Sequence, residues 1–234
     1  NCTFQYNAMG YSQTQGGWLG VFENCVWNGA ARGFQFYKNT GDVTFRNCTI
    51  STSGGDLGVG LNNSGDPGDA AIKFEDCLLN GNKSSWGVGI EAGSFMTFTR
   101  CAFMNAKGQA VNFNDSSGGE VVNCVVRGFE TSNGLIFANE DDGNVLRNTV
   151  ITNCVLGITG GGEVSNDYNN FYDNGTNYDE SFEAGPNSIS ADPLFVAPGA
   201  ADFRLSAGSP CIDAGDPSDP VPALGGTVVD IGPI

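Results

Sequence analysis

Histidine is absent from the 234 residues, and ten Lys and Arg stand against 26 Asp and Glu, a net charge of −16. A surface of that sign repels nucleic acid and anionic lipid, because phosphate binding rests on Lys and Arg. It suits a protein secreted into a cation-rich medium. With no His and no CxxC pair, the usual zinc-ligand patterns are missing. No apolar run approaches the roughly 18 residues that crossing a bilayer takes, so no membrane insertion is expected. Charged residues make up only 15% of the chain, too few for long solvated helices.

What the chain has instead is glycine (35 residues) and a recurring phrase. Asn1-Cys2-Thr3-Phe4 returns as Asn24-Cys25-Val26-Trp27, Asn47-Cys48-Thr49-Ile50, Asp76-Cys77-Leu78-Leu79, Arg100-Cys101-Ala102-Phe103, Asn123-Cys124-Val125-Val126 and Asn153-Cys154-Val155-Leu156. The steps between these cysteines are 23, 23, 29, 24, 23 and 30 residues. Such a period marks supersecondary units that bury their apolar side only by stacking on one another. The first seven cysteines are then expected to form one interior column of free thiols, Cys154 included. Neighbouring strands would hold them about 4.8 Å apart with parallel side chains, a poor setting for the torsion of a disulfide.

Three residues before each Cys runs a second apolar column, Phe22, Phe45, Phe74, Phe98, Val121 and Ile151. Two residues after it runs a third, from Phe4 and Trp27 to Val126 and Leu156. Period-two alternation marks strands, and the odd interval of three predicts a bend where Asn recurs, a residue that tolerates left-handed backbone. A further strand follows about ten residues on, with Phe34/Phe36, Val59/Leu61, Val88/Ile90, Val111/Phe113 and Leu135/Phe137 inward. Three short strands per turn give an all-β fold, a right-handed parallel β-helix solenoid of about seven coils. The two long steps predict outward loops near residues 62–69 and 139–144. Coils are expected over 1–166, with a last coil and an irregular C-terminal cap over 167–234. The chain opens inside the repeat phrase, so it is expected to be a mature or excised part of something longer. Its first coil then needs cover from upstream coils, another copy or another protein.

The tail carries Asp192-Pro193-Leu194-Phe195, Asp202-Phe203-Arg204-Leu205, Ser209-Pro210-Cys211-Ile212-Asp213-Ala214-Gly215 and Val229-Asp230-Ile231-Gly232. With the Asn-Cys repeats, these strings resemble secreted bacterial right-handed parallel β-helix repeat proteins of the pectate-lyase-like superfamily, in which such a tail closes the coil stack. The resemblance implies a fold and an extracellular or cell-surface setting. It does not choose an activity, because that group spans lyases, hydrolases, adhesins and structural proteins.

Polygalacturonase-like hydrolases carry a Gly-His-Gly string that this chain cannot match. Successive coils do present Asn62, Glu91 and Asn114 one position past the inward residues, with Asp115 nearby. These are oxygen donors of the kind Ca2+ prefers. Calcium-dependent lyases of this fold imply such a metal beside a Lys or Arg base, for which Lys38, Lys107 and Arg127 are the candidates. Gln35 and Asn112 on the same strand, with Tyr37 and Trp86, could instead accept an extended polysaccharide. The leading expectation is a non-catalytic structural, adhesive or carbohydrate-binding module, and the alternative is a calcium-assisted lyase acting on uronate-containing glycans.

Overall fold

The computed structural model describes residues 3–5, 11–12, 19–30, 34–35, 42–52, 61–62, 71–81, 90–92, 95–105, 108–113, 118–138, 143–222 and 226–233. Among them there is no α-helix, and parallel strands stack coil on coil into a β-solenoid. The first wall is a seven-stranded sheet: Gly20–Glu23, Val43–Arg46, Ile72–Glu75, Met96–Thr99, Gly119–Val122, Asn144–Arg147 and Val164–Asp167. The second wall follows the cysteines, with Thr3, Val26, Thr49, Leu78, Ala102, Val125, Val150 and Asn170 in register. A third wall contains Leu61–Asn62, Ile90–Ala92 and Val111–Phe113. It continues into the later halves of Val125–Phe137 and Val150–Gly160, which bend around from the second wall.

The bend between the first two walls is one residue wide. Asn24, Asn47, Asp76, Arg100, Asn123, Asn148 and Tyr168 all take φ between 49 and 55°. Asn and Asp adopt this left-handed region most readily, which is why they dominate the phrase. Inside, Phe22, Phe45, Phe74 and Phe98 stack with ring centroids 5.1, 4.7 and 5.0 Å apart, nearly coplanar in orientation. That spacing is set by the distance between parallel strands.

The seven described cysteines are buried and free. Their column is more than apolar filling. The Cys48, Cys77, Cys101 and Cys124 thiols each lie 3.4–3.5 Å from the carbonyl of the aromatic-column residue one coil back, Phe22, Phe45, Phe74 and Phe98. In return the Cys101 N–H donates to Cys124 Sγ at 3.3 Å. The corner takes both groups off the sheet ladder, and a small donor–acceptor side chain satisfies them.

This rule corrects the expected ladder. Thr149, not Cys154, stacks on Cys124: its hydroxyl accepts from the Cys124 N–H at 3.2 Å and donates to the Val121 carbonyl at 3.3 Å. Asn169 then serves Thr149 in the same way (2.9 Å), and Ser188 serves Asn169 (3.1 Å). The true phrase is therefore Asn148-Thr149-Val150-Ile151, a step of 25 residues from Cys124; of the insertion expected near 139–144, residues 139–142 lie outside the described residues. Leu146, not Ile151, continues the aromatic column, and Ile151, not Leu156, pairs with Val126. Cys154 sits at a second corner, in register with Phe129. There Asn105, Gly128, Asn153 and Asp173 are left-handed. Asn174 there accepts from the Cys154 N–H at 3.0 Å, as Asn169 does from Thr149 at the first corner, so Asn153-Cys154 can imitate the phrase.

The tail does two things. Around residues 183–191 it lays an irregular last rung on the stack, with Ile189 bonded to Asn169 and Phe171. From Asp192 onward it turns back as a strap along the outside of the second wall. Phe203, Cys211 and Ile231 bury themselves there against Ala102, Met104, Val125 and Val150, a second core distinct from the interior.

Candidate functional site

The third wall carries the expected polar strip, with a changed register. Ile90 pairs with Val111 rather than Phe113, so the column reads Asn62, Glu91, Asn112, Ile136 and Thr159. A two-residue shift keeps every side chain on its face but exchanges its neighbours. Asn112, placed among glycan contacts by the sequence, thus takes the rung beside Glu91 assigned to Asn114. Its flanking residues Val111 and Phe113 are buried in the interior, while its own Oδ1 is screened from solvent and has no hydrogen-bond partner. Buried amide oxygens normally hold a donor, so this one is an open acceptor. Further along, Thr159 donates to Asp179, which also accepts from Gly160 N at 3.1 Å and Ser181 N at 2.8 Å. Burial raises the Asp179 carboxyl, but these donors outweigh it and hold the group below its ordinary value. The strip lies close over the chain: a Cβ on Gly134 would come within 2.6 Å of the Gly157 carbonyl, and one on Gly157 within 2.7 Å of that of Asn177.

Lys38, Lys107, Tyr37, Trp86, Asn114 and Asp115 lie outside the described residues. Gln35 pairs with Ser12 in a separate two-stranded sheet. Among the described residues no three of His, Cys, Asp and Glu gather into a metal-holding group. The described strip brings one carboxylate position between two amides, against the roughly six to eight oxygens that Ca2+ collects.

Arg127 is elsewhere. It belongs to the second wall, in a column running Met104, Arg127, Thr152 and Tyr172. The second corner and the bulge between Phe129 and Asn133 separate it from the Asn112 rung. There it lines a cleft of about 310 Å³ with Thr152, Asn153 and Tyr172, closed on the far side by Asp192 and Leu194 of the strap. Every other described arginine holds a carboxylate: Arg46 holds Glu75 at 2.8 Å, Arg100 holds Asp76 at 2.6 Å, Arg147 holds Asp219 at 2.7 Å and Arg204 holds Asp202 at 2.6 Å. The Arg127 guanidinium holds none. Sequence reasoning missed this cleft because its two sides are far apart in the chain. The one available signal was Tyr172, a large aromatic at a position where earlier coils carry Asn28, Ser51 and Asn80.

The tail strings are docking devices. Ser209 Oγ donates to the Pro193 carbonyl at 2.7 Å, the Ile231 N–H to the Cys211 carbonyl at 2.9 Å, and the Gly232 N–H to the Asn148 carbonyl at 2.7 Å. Asp213 accepts from the N–H groups of Thr227 (2.7 Å) and Val228 (3.0 Å), which fastens the two ends of the strap together. Asp219 takes both Arg147 and Asn148 at 2.7 Å.

The family described as "Right handed beta helix region" matches residues 1–94. No curated protein matches the chain. The family match agrees with the parallel coils, and the fold is a right-handed parallel β-helix solenoid.

Proposed function

We propose that this β-helix is a secreted or cell-surface binding module. In this reading it holds extended, hydroxyl-rich polysaccharide along the third wall and does no chemistry on it. One arrangement supports this: Asn62, Glu91 and Asn112 stand on consecutive rungs, and Asn112 Oδ1 lacks a donor. Rungs about 4.8 Å apart match the scale of one sugar ring. A ligand hydroxyl that displaced the groups screening this oxygen would supply the missing donor, and amides and a carboxylate are the polar groups that orient sugars in otherwise apolar sites. Net charge −16 favours neutral chains over polyanions on this strip.

The test is affinity electrophoresis of the full chain through gels containing neutral and acidic polysaccharides, in parallel with absorbance of unsaturated product. Retardation by a neutral polysaccharide, lost in Asn112→Ala and Glu91→Ala without product, is the expected result. No retardation by any polysaccharide would remove the reading. Chelator-sensitive product that disappears in Glu91→Ala would replace it with the calcium-assisted lyase.

A further inference from the structure

We infer that the cleft between the second wall and the strap is a binding site for a carboxylate-bearing, hydroxyl-rich ligand of about monosaccharide size, a sugar acid, with Arg127 as its anchor. The inference stands apart from the third-wall strip, shares no residue with it and does not rest on the function proposed there.

Three observations carry it. Arg127 is the one described arginine whose guanidinium engages no carboxylate, in a chain with 26 acidic residues and ten basic ones. Asp192 lines the same cleft without pairing with it, so the planar fork of donors remains open to a carboxylate from outside. Second, it is set in a cleft rather than on an open surface. The cleft holds about 310 Å³, at the small end of ligand sites and room for one or two sugar rings. Third, the rest of the lining suits a polyhydroxylated body. Tyr172 stands two rungs from Arg127 in the same outward column, with Thr152 between them. Two rungs span about 9.6 Å, so Tyr172 borders the end of the cleft away from the guanidinium. Asp192, fixed by the Leu194 N–H at 2.9 Å, provides carboxylate oxygens, while Asn153 already accepts from Thr152 at 3.2 Å and donates to Asp173 at 2.7 Å. A hydroxyl donating to Asp192 while a carboxylate meets Arg127 would satisfy both ends without bringing the two protein charges together. Asp192, Pro193, Leu194 and Pro198 of the strap line one side of the cleft, and the ligand is taken to be a free sugar acid or the acidic end of a glycan.

Calorimetric titration of the full chain at low salt tests this with galacturonic acid, N-acetylneuraminic acid, neutral galactose and an oligosaccharide ending in a sugar acid. At least one acid is expected to bind at least about tenfold more tightly than galactose, the worth of one charge-assisted pair. In Arg127→Gln that preference collapses to the neutral level, and in Arg127→Lys it is only partly kept. Tyr172→Ala weakens acidic and neutral sugars alike, and Glu91→Ala changes nothing. A terminally acidic oligosaccharide that binds tighter than the free acid assigns a glycan end, and equal binding assigns the free acid. Acids that bind no better than galactose, or as well to Arg127→Gln as to the parent, overturn the assignment. Unchanged melting of the Arg127 variants shows that the loss is one of binding.

Discussion

The second wall has two halves that share one backbone and differ in what lies on them. From Ala102 to Val150 its outer face carries an apolar patch covered by the tail: Ala102, Met104, Val125 and Val150 are buried beneath the strap, with the Arg127 cleft at its border. Over the rungs before it, Thr3 and Asn28 are exposed, Val26 is 37% exposed, and Thr49 and Ser51 are half-buried. The inner columns hardly change between the halves, with Trp27, Ile50, Leu79, Phe103 and Val126 all buried. A solenoid therefore sets its interior coil by coil, through nearest neighbours. Its outer face follows whatever the distant parts of the chain bring to it.

A charge placed on each half should separate them most widely. Val125→Asp buries an unpaired carboxylate under the strap and is expected to cost more than about 4 kcal/mol, whereas Val26→Asp stays within about 0.5 kcal/mol. Urea midpoints measure both, and similar losses would mean the halves do not differ. Phe203→Ala empties the centre of the second core and should cost about 3–5 kcal/mol. Limited proteolysis of that variant should release the strap while the coils persist.

Smaller effects probe the shared interior. Thr149→Val leaves the buried Cys124 N–H without its acceptor and should cost about 1–3 kcal/mol, while Thr149→Cys restores the column at little cost. Both are read from urea unfolding. Burial and the neighbouring thiols also shape the alkaline limit. A hydrogen bond to Cys101 and burial push Cys77 up to about 12, and burial alone pushes Cys154 to about 12. The folded chain keeps these protons while the unfolded chain loses them from about pH 9 upward, so the unfolded state binds fewer protons there and stability falls. Full stability is expected below about pH 9, with progressive loss toward 12 that is shallower in Cys154→Ser. Least of all, Arg46→Ala removes exposed ion pairs to Glu23 and Glu75, and its unfolding curve should overlay that of the parent.

The sequence made the interior legible because its signals are local and periodic. Phe45, Phe74 and Phe98 stand at a constant offset from cysteines, and recurring Asn marked the corner that the backbone then showed. The failures have equally physical origins. Asn153-Cys154 copies the phrase because a second corner has the same unpaired backbone groups, so the string alone could not say which corner it served. Ile90 could pair with Val111 or Phe113 without turning any side chain to the wrong face. Arg127 joined the catalytic candidates through its residue type. What it faces is decided by Asp192 and Leu194, more than sixty positions downstream.

The column that passes from thiol to Thr149, Asn169 and Ser188 has a consequence for how such a chain can lengthen. A duplicated or deleted turn is tolerated wherever the incoming corner residue can both give and take a proton, whatever its element. Valine or alanine at that point would weaken the series by leaving two stranded peptide groups. Growth of this rod thus depends on one small polar side chain per turn.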